Sequence, residues 1–148
     1  MTKFYITTAI PYVNGKPHIG HALEYFQADT IRNYHKLFGD HTLLLSGADE
    51  NALKNVQAAE EEGIPTQELL DRNSQIFKDS YEKLGVKLDV FERGSDSSHH
   101  FPGVQRLWKL CNKNGDIYKK SYTGLYCVGC ESFKTEKELI EGKCPDHL

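Results

Sequence analysis

The sequence predicts an α/β protein that is built on a parallel sheet and continues into a small cysteine-bearing domain. Short β-branched and aromatic runs alternate with longer segments of helical periodicity, and three of the cysteines cluster near the end of the chain. A strand, a helix and a second strand in that order favour parallel strands joined by a right-handed crossover. At 148 residues, of which 39% are hydrophobic, the chain is large enough for one ordinary core and a small appendage.

The elements follow from periodicity and from the residues that interrupt it. Residues 3–10 are β-branched and aromatic as far as Pro11, which indicates a short buried strand, and the segment from there to Pro17 is rich in turn residues. Apolar runs predict two further strands, and helical spacing ended by a glycine predicts four helices. These strands cover residues 42–46 and 86–91, and the helices cover residues 20–38, 52–62, 65–84 and 97–114.

The helical periodicity gives way near Gly115 to a turn-rich stretch. We therefore expect a sheet-containing domain over residues 1–115 and a second domain of short strands and turns over residues 116–148. No internal repeat or low-complexity segment is present in the sequence.

Charge and hydropathy narrow the class of protein. The formal net charge is −3 and the pI is near 6.1, which argues against a simple basic nucleic-acid-binding module. No apolar run approaches the roughly 18 residues that a membrane-spanning helix needs. The first residues lack the charged segment and long apolar stretch of a signal peptide. We expect a soluble, cytoplasmic protein with no membrane partner.

The loop after the first predicted strand lies where parallel α/β sheets bind nucleotides, between the carboxyl end of a strand and the start of a helix. Gly15 and Gly20 have the spacing of a P-loop, but His21 stands where a lysine is needed, and there is no Gly-x-Gly-x-x-Gly run. His18 and His21 lie three apart, on one side of the first helical turn, and Gly20 lets a ligand approach the backbone. Imidazole donors and free helical N–H groups suit the phosphate charge that develops during group transfer. Two ordinary surface histidines are the alternative.

The clustered cysteines have the spacing of a metal site. Cys127-x-x-Cys130 is followed by Cys144-x-x-His147, which is the arrangement of a tetrahedral structural zinc site with no open position for a catalytic water. An incidental cysteine pair is the alternative, and a redox Cys-x-x-Cys is disfavoured because the motif does not open a helix after a strand. The remaining cysteine, Cys111, is predicted to lie in the core together with Leu107, Trp108 and Leu110.

Three segments carry a resemblance to a known family: residues 9–21 (AIPYVNGKPHIGH), residues 45–50 (LSGADE) and residues 124–131 (GLYCVGCE). Together they resemble the class I aminoacyl-tRNA synthetases in the form found in the methionyl-tRNA synthetase family. They match that family's first signature, its Thr-Gly-Thr-Asp-Glu-His-Gly segment and the start of its zinc knuckle, and Asn51 and Ala52 replace the usual His and Gly. The resemblance implies the first half of a Rossmann-like nucleotide-binding fold that runs into a connective domain with a zinc knuckle.

The same resemblance implies an activity and a set of site residues. The activity is adenylation of L-methionine by Mg-ATP, followed by transfer to tRNA(Met), with one structural zinc per chain. Tyr12 could equally be a packing residue, and Asp49 could be a cap of the helix near Ala52. The implied residues are His18 and His21 for catalysis and ATP binding, Asn14 and Gly20 for ATP binding, Ala9, Ile10, Tyr12 and Asp49 for methionine binding, and Cys127, Cys130, Cys144 and His147 for the metal.

Two other functions stay open at this stage. One is a small nucleotidyltransferase of the related His-x-x-His type, and the other is a synthetase-derived module that binds ligands without turnover. The family's second signature, Lys-Met-Ser-Lys-Ser, does not occur in this sequence. We therefore expect these 148 residues to be inactive in aminoacylation by themselves.

Overall fold

In the computed structural model, which describes residues 2–147, the chain folds as two compact units. The first ends at Gly103 and the second begins at Val104. The division into domains 1–115 and 116–148 stays a prediction. Across the described residues, no helix combines the length and the apolar character needed to cross a bilayer.

The first unit is built on three parallel strands. β1 spans Lys3–Thr7, β2 spans His41–Ala48 and β3 spans Val90–Arg93, and β2 lies between the other two. The predicted parallel α/β sheet is confirmed. Because the three strands run in the same direction, their carboxyl ends meet at one edge of the sheet, where ligand sites of such folds are found.

β1 ends at Thr7 rather than at residue 10. The amide of Thr8 still donates to the carbonyl of Leu45 on β2 (3.1 Å), but the amide of Ala9 turns away and donates to the Glu24 carboxylate (2.7 Å). The Glu24 side chain therefore replaces the backbone of β2 as the hydrogen-bond partner, and the strand ends.

β3 begins at Val90 rather than at residue 86. The amide of Val86 donates to the carbonyl of Tyr81 (2.9 Å), which ends the preceding helix, and Gly85 adopts the left-handed conformation that this ending requires. Val86 is buried, so its apolar character reflects the core and not a strand.

Four helices complete the regular structure of residues 2–113. All four are predicted, and only the last begins noticeably later than expected, because the Asp96 carboxylate accepts the amides of Ser98 and His99 (2.8 and 3.0 Å) ahead of it. The helices are α1 (Ile19–Leu37), α2 (Leu53–Glu62), α3 (Thr66–Lys83) and α4 (His100–Lys113).

The core lies where α1 and α3 meet the sheet. The rings of Tyr25 on α1 and Tyr81 on α3 stack with their centroids 3.8 Å apart above Leu44 of β2. A second cluster joins the loop after β1 to α3 beneath the carboxyl edge of the sheet, and it consists of Val13, Ala48, Leu70 and Phe77.

The helical spacing that predicts α1 does not mark its buried face. Tyr25, Ala28 and Arg32 face the core, and the Arg32 guanidinium donates to Asp29 and to the carbonyl of Lys87. The larger apolar residues at helical spacing lie exposed instead; they are Leu23, Phe26, Ile31, Tyr34 and Phe38.

The prediction that Cys111 lies in a core is wrong. Cys111 is only half-buried, and Leu107, Trp108 and Leu110 are each more than half exposed. No residue of α4 is buried. Apolar spacing places these side chains on one face of a helix, but it does not show that another element covers that face.

Beyond residues 104–113 of α4, the second unit has little regular structure. β4 (Leu125–Cys127) pairs antiparallel with β5 (Ser132–Lys134), and a 3₁₀ turn follows at Glu136–Glu138. The predicted short strands and turns are confirmed. Among the described residues from position 104 onward, only Cys144 is buried.

Candidate active site and metal centre

The loop after β1 ends in a pair of histidines that cap α1. His18 is the N-cap residue, and its Nδ1 accepts the amide of Gly20 (3.1 Å). His21 returns the interaction, since its Nδ1 accepts the amide of His18 (3.1 Å). Two imidazoles thus form a capping box in the place usually taken by a hydroxyl and a carboxyl side chain.

These two bonds fix the tautomer of each neutral ring. A nitrogen that accepts an N–H carries no proton, so in both histidines the proton lies on Nε2, which is left as a donor. The centroids of the two imidazole rings lie 3.9 Å apart. The rings of Phe77 and His21 form a T-shaped pair with centroids 5.3 Å apart. Partial burial, and then the neighbouring His18, lower the pKa of His21 below its ordinary value, which keeps the ring neutral near pH 7.

Gly20 has a reason in the fold that the sequence does not show. A Cβ at this position would lie 2.9 Å from Cε1 and 3.0 Å from Nδ1 of His18, closer than side chains tolerate. The glycine therefore makes room for the His18 ring to fold back onto its own helix. Gly15, in the same loop, has no such neighbour.

An open cleft of about 430 Å³ brings most of the predicted site residues together. Phe77 on α3 closes one side of it, and sequence reasoning missed this residue because nothing in its helix distinguishes it from other core positions. Three of the predicted residues, Ala9, Gly20 and Asp49, do not line the cleft. Its lining consists of Ile10, Pro11, Tyr12, Asn14, Gly15, Lys16, His18, His21 and Phe77.

Asp49 lies beside the cleft loop, at the end of β2. Its amide donates to the carbonyl of Pro11 (2.9 Å), and it forms an isolated parallel bridge with Tyr12. The Asn55 side chain donates to the carbonyl of Asp49 (3.0 Å). The alternative that Asp49 caps a helix is wrong, because the N-cap of α2 is Ala52.

Tyr12 is half-buried, so one part of its ring packs and another faces the cleft. The ammonium of Lys54 lies 4.6 Å from the ring centroid, which is a cation–π distance. Lys54 is a second residue that sequence reasoning missed; its only signal is its place five residues after Asp49.

A larger cleft of about 710 Å³ lies elsewhere in the first unit. It contains no histidine or cysteine, and residues 85–89 in its wall precede β3, so it opens near the amino end of that strand. Ligand sites of parallel sheets lie at the carboxyl ends. We therefore assign the smaller cleft as the candidate active site.

The four predicted metal ligands come together in the second unit. Their ligand atoms all lie within 4.8 Å of one another. Cys130 Sγ lies 3.5 Å from Cys144 Sγ and 3.3 Å from His147 Nδ1, and Cys127 Sγ lies 3.7 Å from the same nitrogen. Ligands bound at 2.0–2.3 Å in a tetrahedron are separated by about 3.5 to 3.8 Å. The three separations given above are close to those of a tetrahedral site.

The local backbone supports this cluster. A Cβ on Gly129 would lie 2.3 Å from Cδ2 of His147, so only glycine lets that ring reach the cysteines. The amide of Cys130 donates to Cys127 Sγ (3.4 Å), and this bond lowers the pKa of the Cys127 thiol. All four cysteines of the chain are free thiols.

The fold and the site define an α/β protein with a ligand cleft at the carboxyl edge of its sheet and a separate cluster suited to a metal. The family model described as tRNA synthetases class I (M) matches residues 4–147. The chain therefore belongs to the class I tRNA synthetases, in the branch denoted M, and the resemblance seen in the sequence is confirmed.

Similar proteins agree with this membership. A methionine–tRNA ligase of Mycobacterium bovis is 41% identical over 144 residues, which are 96% of this chain and 28% of that protein. One of Mesorhizobium japonicum is 42% identical over 141 residues, which are 95% of this chain and 27% of that protein. A solved structure of the Mycobacterium tuberculosis methionyl-tRNA synthetase in complex with methionyl-adenylate matches with a TM-score of 0.89 at 41% identity, over 96% of this chain and 28% of that one. The chain spans little more than a quarter of the length of these relatives.

Proposed function

We propose that this chain is the N-terminal part of a methionine–tRNA ligase, which joins L-methionine to ATP and then to tRNA(Met). The observation that carries the proposal is the pair of histidines at the start of α1, in which each Nδ1 accepts a backbone amide and each Nε2 is left beside the cleft as a donor. Family membership supplies the reaction to which this geometry is matched.

On the ATP side, His18 and His21 would each donate from Nε2 to phosphate oxygens. The methionine carboxylate attacks the α-phosphorus, a carboxylate–phosphorus bond forms, and the bond to the leaving pyrophosphate breaks. Charge grows on the phosphate oxygens in that transition state, where fixed donors stabilise it most. Asn14 and Gly20 would shape the same site, and magnesium would accompany ATP as part of the substrate.

On the methionine side, Ile10 and Tyr12 would contact the side chain, with Ala9 next to them, two residues after the end of β1. An aromatic ring beside a thioether is a favourable contact. Asp49, whose carboxylate accepts within this chain only a long bond from the Asn51 amide (3.3 Å) among the contacts described, would accept the substrate ammonium. No covalent bond to the enzyme is needed, because positioning and charge are sufficient.

The cysteine cluster would hold one structural zinc through Cys127, Cys130, Cys144 and His147. The donor set of three sulfurs and one nitrogen and the spacing of the ligand atoms fit this metal. Zinc would cross-link the turns of residues 116–148 into a knuckle, which we propose as the start of the connective domain. A cytoplasmic location would keep these thiols reduced.

Direct binding tests the proposal. The chain is titrated with a non-hydrolysable analogue of methionyl-adenylate while its amide resonances are followed, and the matching isoleucyl and valyl analogues are the controls. We expect shifts at Tyr12, His18, His21 and Asp49, with the methionyl form binding most tightly. Equal binding of all three analogues would favour the nucleotidyltransferase alternative.

Activity distinguishes the remaining alternative. Methionine-dependent ATP–pyrophosphate exchange is measured in a hybrid in which this chain replaces the matching segment of one of its longer relatives. Exchange at a rate comparable to that of the relative supports the ligase. Selective binding of the methionyl analogue without any exchange in a folded hybrid would favour a non-catalytic binding module.

A further inference from the structure

Glu50, the residue after Asp49, is a buried carboxylate surrounded by donors. Its side chain is 1% exposed. It accepts bonds from the Ser74 hydroxyl (2.8 Å), from Arg93 Nε (2.7 Å) and from the Ser95 amide (2.8 Å). A carboxylate offers about four acceptor positions, so little capacity is left for a ligand. Glu50 is therefore equipped to hold structure and not to bind substrate.

These partners come from three different elements. Ser74 lies on α3, Arg93 ends β3, and Ser95 lies in the loop that follows it. Glu50 itself follows the end of β2. One side chain thus ties the carboxyl ends of two neighbouring strands to a helix at the edge of the sheet that carries the cleft.

The charge of Glu50 is retained despite its burial. Burial alone would raise its pKa, but the bonds from Ser95, Arg93 and Ser74 outweigh it and hold the pKa below the ordinary value. Removing the charge would leave the Arg93 guanidinium with one carboxylate partner, Asp71, among the contacts described.

Asp49 precedes Glu50 in the chain, and its carboxylate takes no part in the Glu50 network among the contacts described. Because one planar peptide unit joins the two residues, anchoring of the Glu50 side chain restricts where the backbone of Asp49 can lie. The backbone of Asp49 is fixed to the cleft loop through its bond to the Pro11 carbonyl and its bridge to Tyr12.

We infer that Glu50 is a positioning residue that sets the place of Asp49 and, through it, the recognition of the methionine ammonium. The recognition step rests on the function proposed above. The positioning step does not, since it concerns only the backbone of this chain. Glu50 acts through Asp49 and has no contact with substrate of its own.

The test compares Glu50→Gln with Asp71→Asn, which removes the other carboxylate on Arg93 but leaves the anchor intact. Two quantities are measured by NMR: hydrogen exchange at the Asp49 amide, and the dissociation constants of L-methionine and of ATP. For Glu50→Gln we expect Asp49 exchange to accelerate about tenfold or more relative to the core of β2, and methionine binding to weaken about tenfold, as for one lost charge-assisted bond. ATP binding should change less than about twofold.

Each outcome decides the inference. Unchanged Asp49 exchange in Glu50→Gln, or equal weakening of methionine and ATP binding, overturns it, as does an equal effect of Asp71→Asn. If the unsubstituted chain binds no methionine, the proposed function fails. The hydrogen-exchange rates at the Asp49 amide still test the positioning step. Should Glu50→Gln not fold, Ser74→Ala removes a single donor and is read in the same way.

Discussion

The two compact units of this chain are stabilised by different means. The unit that ends at Gly103 has two buried apolar clusters, in which Tyr25 stacks on Tyr81 and Val13 packs with Phe77. The described part of the other unit buries a single residue, Cys144, which is itself a candidate metal ligand. Burial of apolar surface is the main favourable term in folding, and a segment this short supplies little of it.

The contrast shows how each site is held in place. In the first unit the cleft is fixed by the core beneath it: the Asn73 side chain donates to the carbonyl of Val13 (2.6 Å), and both residues are buried. In the second unit the one buried residue described is itself a candidate metal ligand, so we expect metal binding and folding to be coupled. We therefore expect the first site to tolerate loss of its ligand and the second to depend on it.

The largest expected effect is that of removing the zinc that we propose for the cysteine cluster. Chelation should unfold the second unit and leave the first folded, because structural zinc contributes about 10–16 kcal/mol of apparent binding free energy that is coupled to folding. Amide resonances of Cys127 and Phe133 report on one unit, and those of Leu44 and Phe77 report on the other. Elemental analysis of purified protein should give one zinc per chain.

Cysteine substitutions provide the matched control for this effect. Cys144→Ser should abolish stoichiometric zinc, whereas Cys111→Ser, at the cysteine outside the cluster, should retain it. Less than about half an equivalent of zinc in the unsubstituted protein would contradict the coupling of metal and fold.

The next effect concerns the first unit, and it should change activity without changing the fold. In the hybrid protein, His21→Ala should slow methionine-dependent pyrophosphate exchange about 10²-fold or more and leave the KM for ATP nearly unchanged, because the lost donor acts on charge that appears in the transition state. His99→Ala, at an exposed histidine outside the cleft, is the control. A raised KM at unchanged turnover would show that His21 only binds ATP.

Short-range sequence patterns were sufficient to predict much of this structure. The His18–His21 pair and the cysteine spacing are short-range patterns, because a helix start and a tight turn bring their own residues together. The partners of Glu50 and the position of Phe77 depend on tertiary packing, since Arg93 and Phe77 are distant in sequence from the loops that they contact. The prediction that Cys111 lies in a core failed because periodicity identifies a face of a helix but not what covers that face. The apolar spacing of α1 likewise does not mark its buried face.

Two glycine substitutions sharpen the comparison between the units. Gly20→Ala should force the His18 ring off its own helix and cost about 1 to 2 kcal/mol of unfolding free energy, as for a lost N-cap. Gly15→Ala, where an added Cβ meets nothing within 4 Å, should change that free energy by less than about 0.5 kcal/mol. Urea unfolding measures both.

In the second unit the same change should appear as lost metal affinity. Gly129→Ala places a Cβ 2.3 Å from the His147 ring, so we expect zinc affinity, measured by competition with a chelator, to fall at least about tenfold. Gly103→Ala, with no neighbour within 4 Å, should leave it unchanged. If Gly129→Ala destabilised the first unit instead, the assignment of separate supports would be wrong.

The smallest expected effect is a pH dependence confined to the first unit. Asp40 accepts the amide and hydroxyl of Thr2 (2.9 and 2.6 Å) and contacts His35 Nδ1 (3.0 Å), and these bonds hold its pKa well below the ordinary value of 3.8. Since the folded pKa is the lower one, the stabilisation is complete above about pH 5 and is lost as the pH falls through the folded pKa. Asp40→Asn should be less stable than the unsubstituted chain at pH 7 and should lose less stability between about pH 5 and pH 2.5. Urea unfolding of the first unit at several pH values measures this, with Asp116→Asn as an exposed control; parallel curves for Asp40→Asn and the unsubstituted chain would show that these bonds contribute nothing to folding.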